Sequence, residues 1–525
     1  MESRSVLHTQ LFSAIQLHCE CNWSGLVPFQ LFRCPKMLLL LLLFILLAAT
    51  LLVWKRQGNH WRRLGLEAPF GWPLVGNMLD FALARRSYGE VYQEIYTQNS
   101  GLRYVCFYRL FNEPAILVRD QELLRHILVG SNFANCADNA VYVDHQRDVL
   151  ASHNPFIANG NRWRLLRADL VPLFTPSRMR QTLPHVAQAC QLLRDQVPLG
   201  RFEAKDLATR YTLQVVASAI FGLDAHCLGS REKVASPSRW LEWLAPLFQP
   251  SAWSLLETMS LLHSSRLGRL IGHRYVPLPL QHWFRELVAA RSGGDNLLQW
   301  LAESKRGLEM EELAGHATTL LLEGYETSAM LLAFVLYELA LNEEAQQRLH
   351  FELDAVAQRH AGNLLDQVAL GELRYAEAAL LEALRLHPAM QALQKRCTKS
   401  FTLPAQKSGA GELKVHVGTV LVLPVQAIHL DSELYPAPKE FRPDRFLHQP
   451  PPVGCRFLGF GAGPRMCPGM RLGLLQTKAA LATLLQDHCV LLADEGQCRV
   501  EVSPLTFLTA SRKGIWLRFE RRTPG

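Results

Sequence analysis

One ten-residue stretch constrains this chain more than any other: Phe460-Gly461-Ala462-Gly463-Pro464-Arg465-Met466-Cys467-Pro468-Gly469. A single cysteine sits among residues of little bulk, with an arginine two positions before it. Apolar residues at Met470, Leu474, Leu481 and Leu484 keep helical spacing, which predicts a helix starting just after Cys467. At a helix N-terminus the dipole favours thiolate over thiol. The glycines at 461, 463 and 469 allow backbone N–H groups to approach the sulfur, and Pro468 suits a first helical turn. A soft thiolate held in this way is a good axial ligand for haem iron. The competing reading is a buried structural cysteine in a turn.

With Phe460, Gly463, Arg465, Cys467 and Gly469 in register, the loop resembles the haem-binding loop of the cytochromes P-450. The likeness runs from about residue 37 to 520. It implies a mainly α fold with small β-sheets, haem b ligated by Cys467, and an N-terminal transmembrane anchor.

The bulk composition is compatible with that. The chain has 525 residues, 49% of them hydrophobic and 19% charged, enough to bury a large core. Its 12 cysteines include no C-x-x-C pair, which argues against a zinc ribbon or a disulfide scaffold and points to a reducing compartment. Of the formal net charge of +8, residues 1–63 carry +5, from seven Lys/Arg set against Glu2 and Glu20. The basic excess is therefore a membrane flank, and no nucleic-acid footprint is expected.

That flank adjoins Met37–Trp54, MLLLLLLFILLAATLLVW, which has no charged residue. At 1.5 Å per residue the run reaches roughly 27 Å, enough to span a bilayer core. It ends in Trp54-Lys55-Arg56 where a cleaved signal would end in a small-x-small site, so it reads as an uncleaved anchor. The richer basic flank (Lys55, Arg56, Arg62, Arg63) lies C-terminal, placing the body in the cytosol. Either translation starts at Met37 or residues 1–36 form a luminal extension, with Asn22-Trp23-Ser24 as a glycosylation acceptor. Residues 55–77 form a basic and proline-rich hinge, Pro69 to Asn77 turning the chain without helix. Residues 78–525 form the catalytic domain.

Within that domain helical spacing dominates, with short strand-like runs at 115–118 and 419–423. Trp163 and Arg167 stand four apart on one helix face, and the family likeness assigns them to a haem propionate. It gives the same task to Arg465 and to Lys395, where the family often has an arginine; Arg396 is adjacent. Lysine lacks the guanidinium fork. Arg162, Arg164, Arg178 and Arg180 form either a docking face for an acidic electron donor or a solvated cluster. Trp240, Trp243, Pro246, Phe248 and Trp253 either dip into the membrane interface or pack in the core.

Glu309 to Leu341 reads as one long helix. Its segment Glu323-Gly324-Tyr325-Glu326-Thr327-Ser328 resembles the family's oxygen-activating segment, with the glycine loosening the helix. The likeness makes Glu326 and Thr327 the catalytic residues, handling protons during oxygen activation. Glu323 departs from the pattern, which has Ala or Gly at that position. A carboxylate there could pair with a cationic substrate or a neighbouring base, or alter proton delivery. Glu382 and Arg385, joined by Arg445 from Pro443-Asp444-Arg445-Phe446, make up the family's buried structural network behind the cysteine loop.

The implied activity is membrane-bound monooxygenation of an apolar small molecule (a lipid, steroid, hormone or xenobiotic) at the endoplasmic reticulum. No G-x-G-x-x-G fingerprint is present, so electrons would come from NADPH through a separate flavoprotein reductase, with cytochrome b5 as a further donor. Two alternatives remain: a haem-thiolate isomerase or dehydratase that needs no oxygen, hinted at by Glu323, and a non-catalytic haem- or ligand-binding protein.

Overall fold

A computed structural model describes residues 60–229, 238–290, 294–304, 306–448, 455–494 and 500–522, together with scattered positions between Leu39 and Lys55. It divides into two units, Met1–Arg56 and Gln57–Gly525. In the first, the described positions, among them Leu41, Phe44, Ile45 and Leu52, are helical. Most of the predicted anchor and all of residues 1–36 lie outside the described residues.

The second unit is mainly α-helical with small sheets. Five helices position the site: α1 (Gly160–Leu170), α2 (Ala204–Val216), α3 (Met310–Leu341), α4 (Arg374–Leu386) and α5 (Met470–Leu485). α3 starts where the sequence places it. Glu309 is its N-cap, in a reciprocal capping box with Glu312. Among the described residues α3 is the one helix long and apolar enough to cross a membrane, but it is buried along most of its length. It is hydrophobic nearly all round because α2, α4 and α5 pack against it. The helix runs through Gly324 without interruption, so the expected loosening there is not seen. The Gln476 amide of α5 instead donates to the Gly324 carbonyl at 3.1 Å and to Ser328 Oγ at 2.7 Å.

The largest sheet has five strands: β1 (Tyr104–Tyr108), β2 (Pro114–Val118), β3 (Asp138–Asn139), β4 (Leu393–Arg396) and β5 (Val420–Leu423). Their spatial order is β1-β2-β5-β4-β3. Only the β2–β5 pair is parallel, with Ala115 opposite Val420; the other pairs are antiparallel. The β3–β4 register sets Asn139 against Lys395, at the sheet edge nearest the cysteine loop. The proline-rich stretch is tied to this sheet: Trp72 and Gly76 exchange backbone bonds at 2.8 Å, and Asn77 Oδ1 accepts the Tyr108 N–H.

Of the tryptophan-rich segment, Trp240 is core, meeting Phe221 and Trp283 edge-on, and Phe248 lies against Tyr325. Trp253, 51% exposed, and Trp243, 38% exposed, face outward.

Candidate active site

The cysteine loop is built by backbone bonds that leave the thiol pointing inward. Cys467 N–H donates to the Phe460 carbonyl at 2.8 Å, and Met466 N–H to that of Gly463 at 2.9 Å. Gly463 has φ +69°, and a Cβ there would collide with the Leu128 carbonyl. Gly469 caps α5, and its N–H and that of Met470 reach the sulfur. The glycines thus divide the work: Gly463 makes the turn, and Gly469 supplies a donor.

Cys467 still presents surface, yet burial pushes its thiol up to about 11 against the pull of the two N–H groups and Arg167. A residue both accessible and desolvated faces an enclosed space. Burial therefore opposes the helix terminus at this sulfur, an effect the sequence expectation did not include, and ligation to a metal would favour the thiolate.

The charges around that space fit a dianionic cofactor. Arg465 lies close enough to repel both Lys395 on β4 and Arg167 on α1, and all three are shifted down, mainly by burial, with Lys395 falling to about 7 and Arg465 to about 10. Against them stands one carboxylate, Asp138, 3.3 Å from Arg465 Nη2. Among the described residues the one hydrogen-bond partner of Lys395 is the neutral Asn139 Oδ1, at 2.8 Å, with Asp138 within electrostatic range. Arg465 also donates to the carbonyls of Pro155 at 2.9 Å and Ala158 at 3.1 Å, lies 4.3 Å over the Trp163 ring, and leaves its Nε without a partner. Such a surplus of buried positive charge is costly unless anions arrive, and the two propionates of a haem would supply them. Strand alternation settles Lys395 against Arg396, whose guanidinium lies 4.5 Å over the Tyr142 ring instead.

Thr327 and Glu323 share one face of α3; Thr327 Oγ1 donates to the Glu323 carbonyl at 2.9 Å. Glu323 is close enough to Cys467 to disfavour its thiolate. Glu326 points elsewhere. It is buried, and both its oxygens accept from Lys205 Nζ of α2 at 2.8 Å. The two catalytic candidates therefore do not share a partner, and Glu326 is held in an ion pair with Lys205.

Behind the loop, Arg385 grips Glu382 through two bonds of 2.8 Å, both residues fully buried. Arg445 Nε reaches Glu382 at 3.1 Å. Sequence reasoning did not find the link from this network to the loop, which is His429. Its Nε2 accepts the Leu458 N–H at 2.8 Å, so Nδ1 is the protonated nitrogen and donates to the Arg385 carbonyl at 3.1 Å. Burial and Arg385 pull His429 down to about 3. Asp138, Asn139, Asn154, Lys205 and Tyr275 were also missed, since none sits at a diagnostic spacing.

Two of the four arginines in the basic cluster have partners elsewhere in the fold. Arg162 turns to Ser152 and His153, and Arg178 stacks 4.1 Å over Trp300.

A family model described as "Cytochrome P450" matches residues 67–518. "Probable cytochrome P450 308a1" of Drosophila melanogaster is 89% identical over 478 residues, covering 91% of this chain and 97% of that protein. "Probable cytochrome P450 6a13" of the same fly is 30% identical over 88% of this chain and 94% of its own length. "Cytochrome P450 6l1" of Blattella germanica is 29% identical over 86% of this chain and 91% of its own.

Proposed function

Because this chain belongs to the cytochrome P450 family, among its insect members, and is a P450 monooxygenase, we propose a membrane-bound enzyme that oxidises an apolar small molecule. Electrons would come from NADPH through a separate flavoprotein reductase, with cytochrome b5 as a second donor. Residues 37–54 would anchor it in the endoplasmic reticulum, 55–77 orient it, and 78–525 carry the reaction on the cytosolic side. The uncharged run and its basic C-terminal flank support this arrangement.

The observation that carries the reading is Cys467, accessible yet desolvated, beside three buried or half-buried cations, Arg167, Lys395 and Arg465, that share a single described carboxylate, Asp138. Bound haem would supply the oxygen chemistry, inserting one atom of O2 into substrate. Cys467 would ligate the iron, with the N–H groups of Gly469 and Met470 steadying the sulfur. Arg167, Lys395 and Arg465 would hold the propionates, and Trp163 would hold Arg465 in place. Thr327 would offer a hydroxyl on the helix face it shares with Glu323, and Glu326, paired with Lys205, would serve proton delivery. Glu382, Arg385, Arg445 and His429 keep the loop in place.

The full-length protein, reconstituted with reductase in phospholipid vesicles, should consume NADPH and O2 together with an apolar substrate. Its reduced, carbon-monoxide-bound spectrum should carry the thiolate signature. Cys467→Ala should lose both, and oxidation that survives this substitution refutes the reading.

A further inference from the structure

Glu323 is the residue the monooxygenase reading leaves unused, and it is held with care. Its Oε1 accepts from Tyr275 Oη at 2.8 Å and from Asn154 Nδ2 at 2.9 Å. Asn154 cannot turn its amide round, because its Oδ1 accepts the Phe156 N–H at 2.8 Å. Two fixed donors on one oxygen hold the carboxylate in one orientation and leave Oε2 without a hydrogen-bond partner among the described residues. Neither does any described residue bring a cation to Glu323: its hydrogen-bond partners are the neutral Tyr275 and Asn154, and its further electrostatic neighbour is the Cys467 thiol. It nevertheless lies deep, on the same helix face as Thr327, within electrostatic range of Cys467, and remains partly accessible.

Buried carboxylates are ordinarily paired. This one, on the helix face it shares with Thr327, has one oxygen free, and its partner Tyr275 packs against an apolar cluster that contains Leu320, with Phe248, Phe156 and Phe507 at the cluster's rim. We propose that Glu323 is a specificity-determining residue whose Oε2 binds the protonated nitrogen of an otherwise apolar organic base, so that this enzyme selects amine substrates. The proposal rests on the haem-thiolate reading of the same site.

The test uses the haem-loaded full-length protein in vesicles, with binding read from the haem absorbance. The probes are phenylalkanes with two to six methylenes, ending either in a dimethylamino group, protonated at neutral pH, or in the isosteric isopropyl group. Wild type should bind the amine of at least one length tenfold or more tighter than its isostere. Glu323→Gln keeps a carbonyl acceptor for Tyr275 and Asn154 and should abolish the preference. Glu323→Asp, one methylene shorter, should retain it at a longer spacer. If wild type shows no amine preference at any length, or Glu323→Gln retains one, the anchor is overturned. Loss of the thiolate carbon-monoxide signature in wild type would instead overturn the underlying site reading, so the two failures are distinguishable.

Discussion

Replacing Arg385 with alanine removes a guanidinium that donates five hydrogen bonds: two to Glu382, and one each to the carbonyls of His429 (2.7 Å), Pro438 (2.7 Å) and Glu440 (3.2 Å). Glu382 would remain fully buried, with Arg445 at 3.1 Å and the Arg442 N–H at 3.0 Å as its surviving donors. Breaking one side of a buried pair costs about 3–5 kcal/mol. Three carbonyls also lose a donor, but a cavity the size of an arginine side chain admits water to them, so we take the same 3–5 kcal/mol for the whole. With a urea dependence of a few kcal/mol per molar, the midpoint should fall by roughly 1 M. The assay follows the thiolate carbon-monoxide band of the full-length protein through a urea titration. Because the lost bonds include one to the His429 carbonyl, the band should disappear before overall helicity does. Arg385→Lys, which keeps the charge but not the fork, should fall in between. A loss below about 1 kcal/mol for Arg385→Ala with the band intact would falsify the claim that this network holds the loop.

Other outcomes follow from the same geometry. His429 has its pKa lowered from 6.5 to about 3 in the fold, so the unfolded chain binds the extra proton first. Its contribution to stability is intact above pH 6.5 and lost as pH falls toward 3, on the order of 1 kcal/mol per pH unit; His429→Gln should flatten that part of an acid titration of the thiolate band. Glu326→Gln should lower turnover roughly tenfold or more, with an unchanged carbon-monoxide spectrum. Lys205→Ala should change the solvent isotope effect on turnover, and equal isotope effects in mutant and wild type would remove Lys205 from the proton route. Trp163→Ala, which removes the ring beneath Arg465, should reduce haem content measured on the purified protein, whereas Trp163→Phe should largely preserve it.

Much of the site could be read from the chain because it is local. The cysteine loop is a run of turn residues feeding a helix. Thr327 and Glu323 lie one helical turn apart, and Glu382 meets Arg385 across i, i+3. Short-range backbone geometry sets these distances whatever the tertiary surroundings. The same reasoning failed where two local effects compete with burial. A helix terminus favours thiolate at Cys467, but desolvation dominates once the loop is packed. A glycine in α3 suggests a loosened turn, yet Gln476 pins its carbonyl.

From the sequence alone come the mainly α body, the candidate cysteine ligand, the long helix Met310–Leu341 and the oddity of Glu323. The fold alone decides how each of these is partnered. Glu323 meets Asn154, 169 residues away, and Tyr275, 48 residues away; Lys205 meets Glu326 across 121 residues. Lys395, not Arg396, turns toward Arg465 because the pleat of β4 sends neighbouring side chains to opposite faces. Such pairings leave no periodic trace in a sequence, since they form only when distant elements are packed together, and burial then determines which charges stand alone.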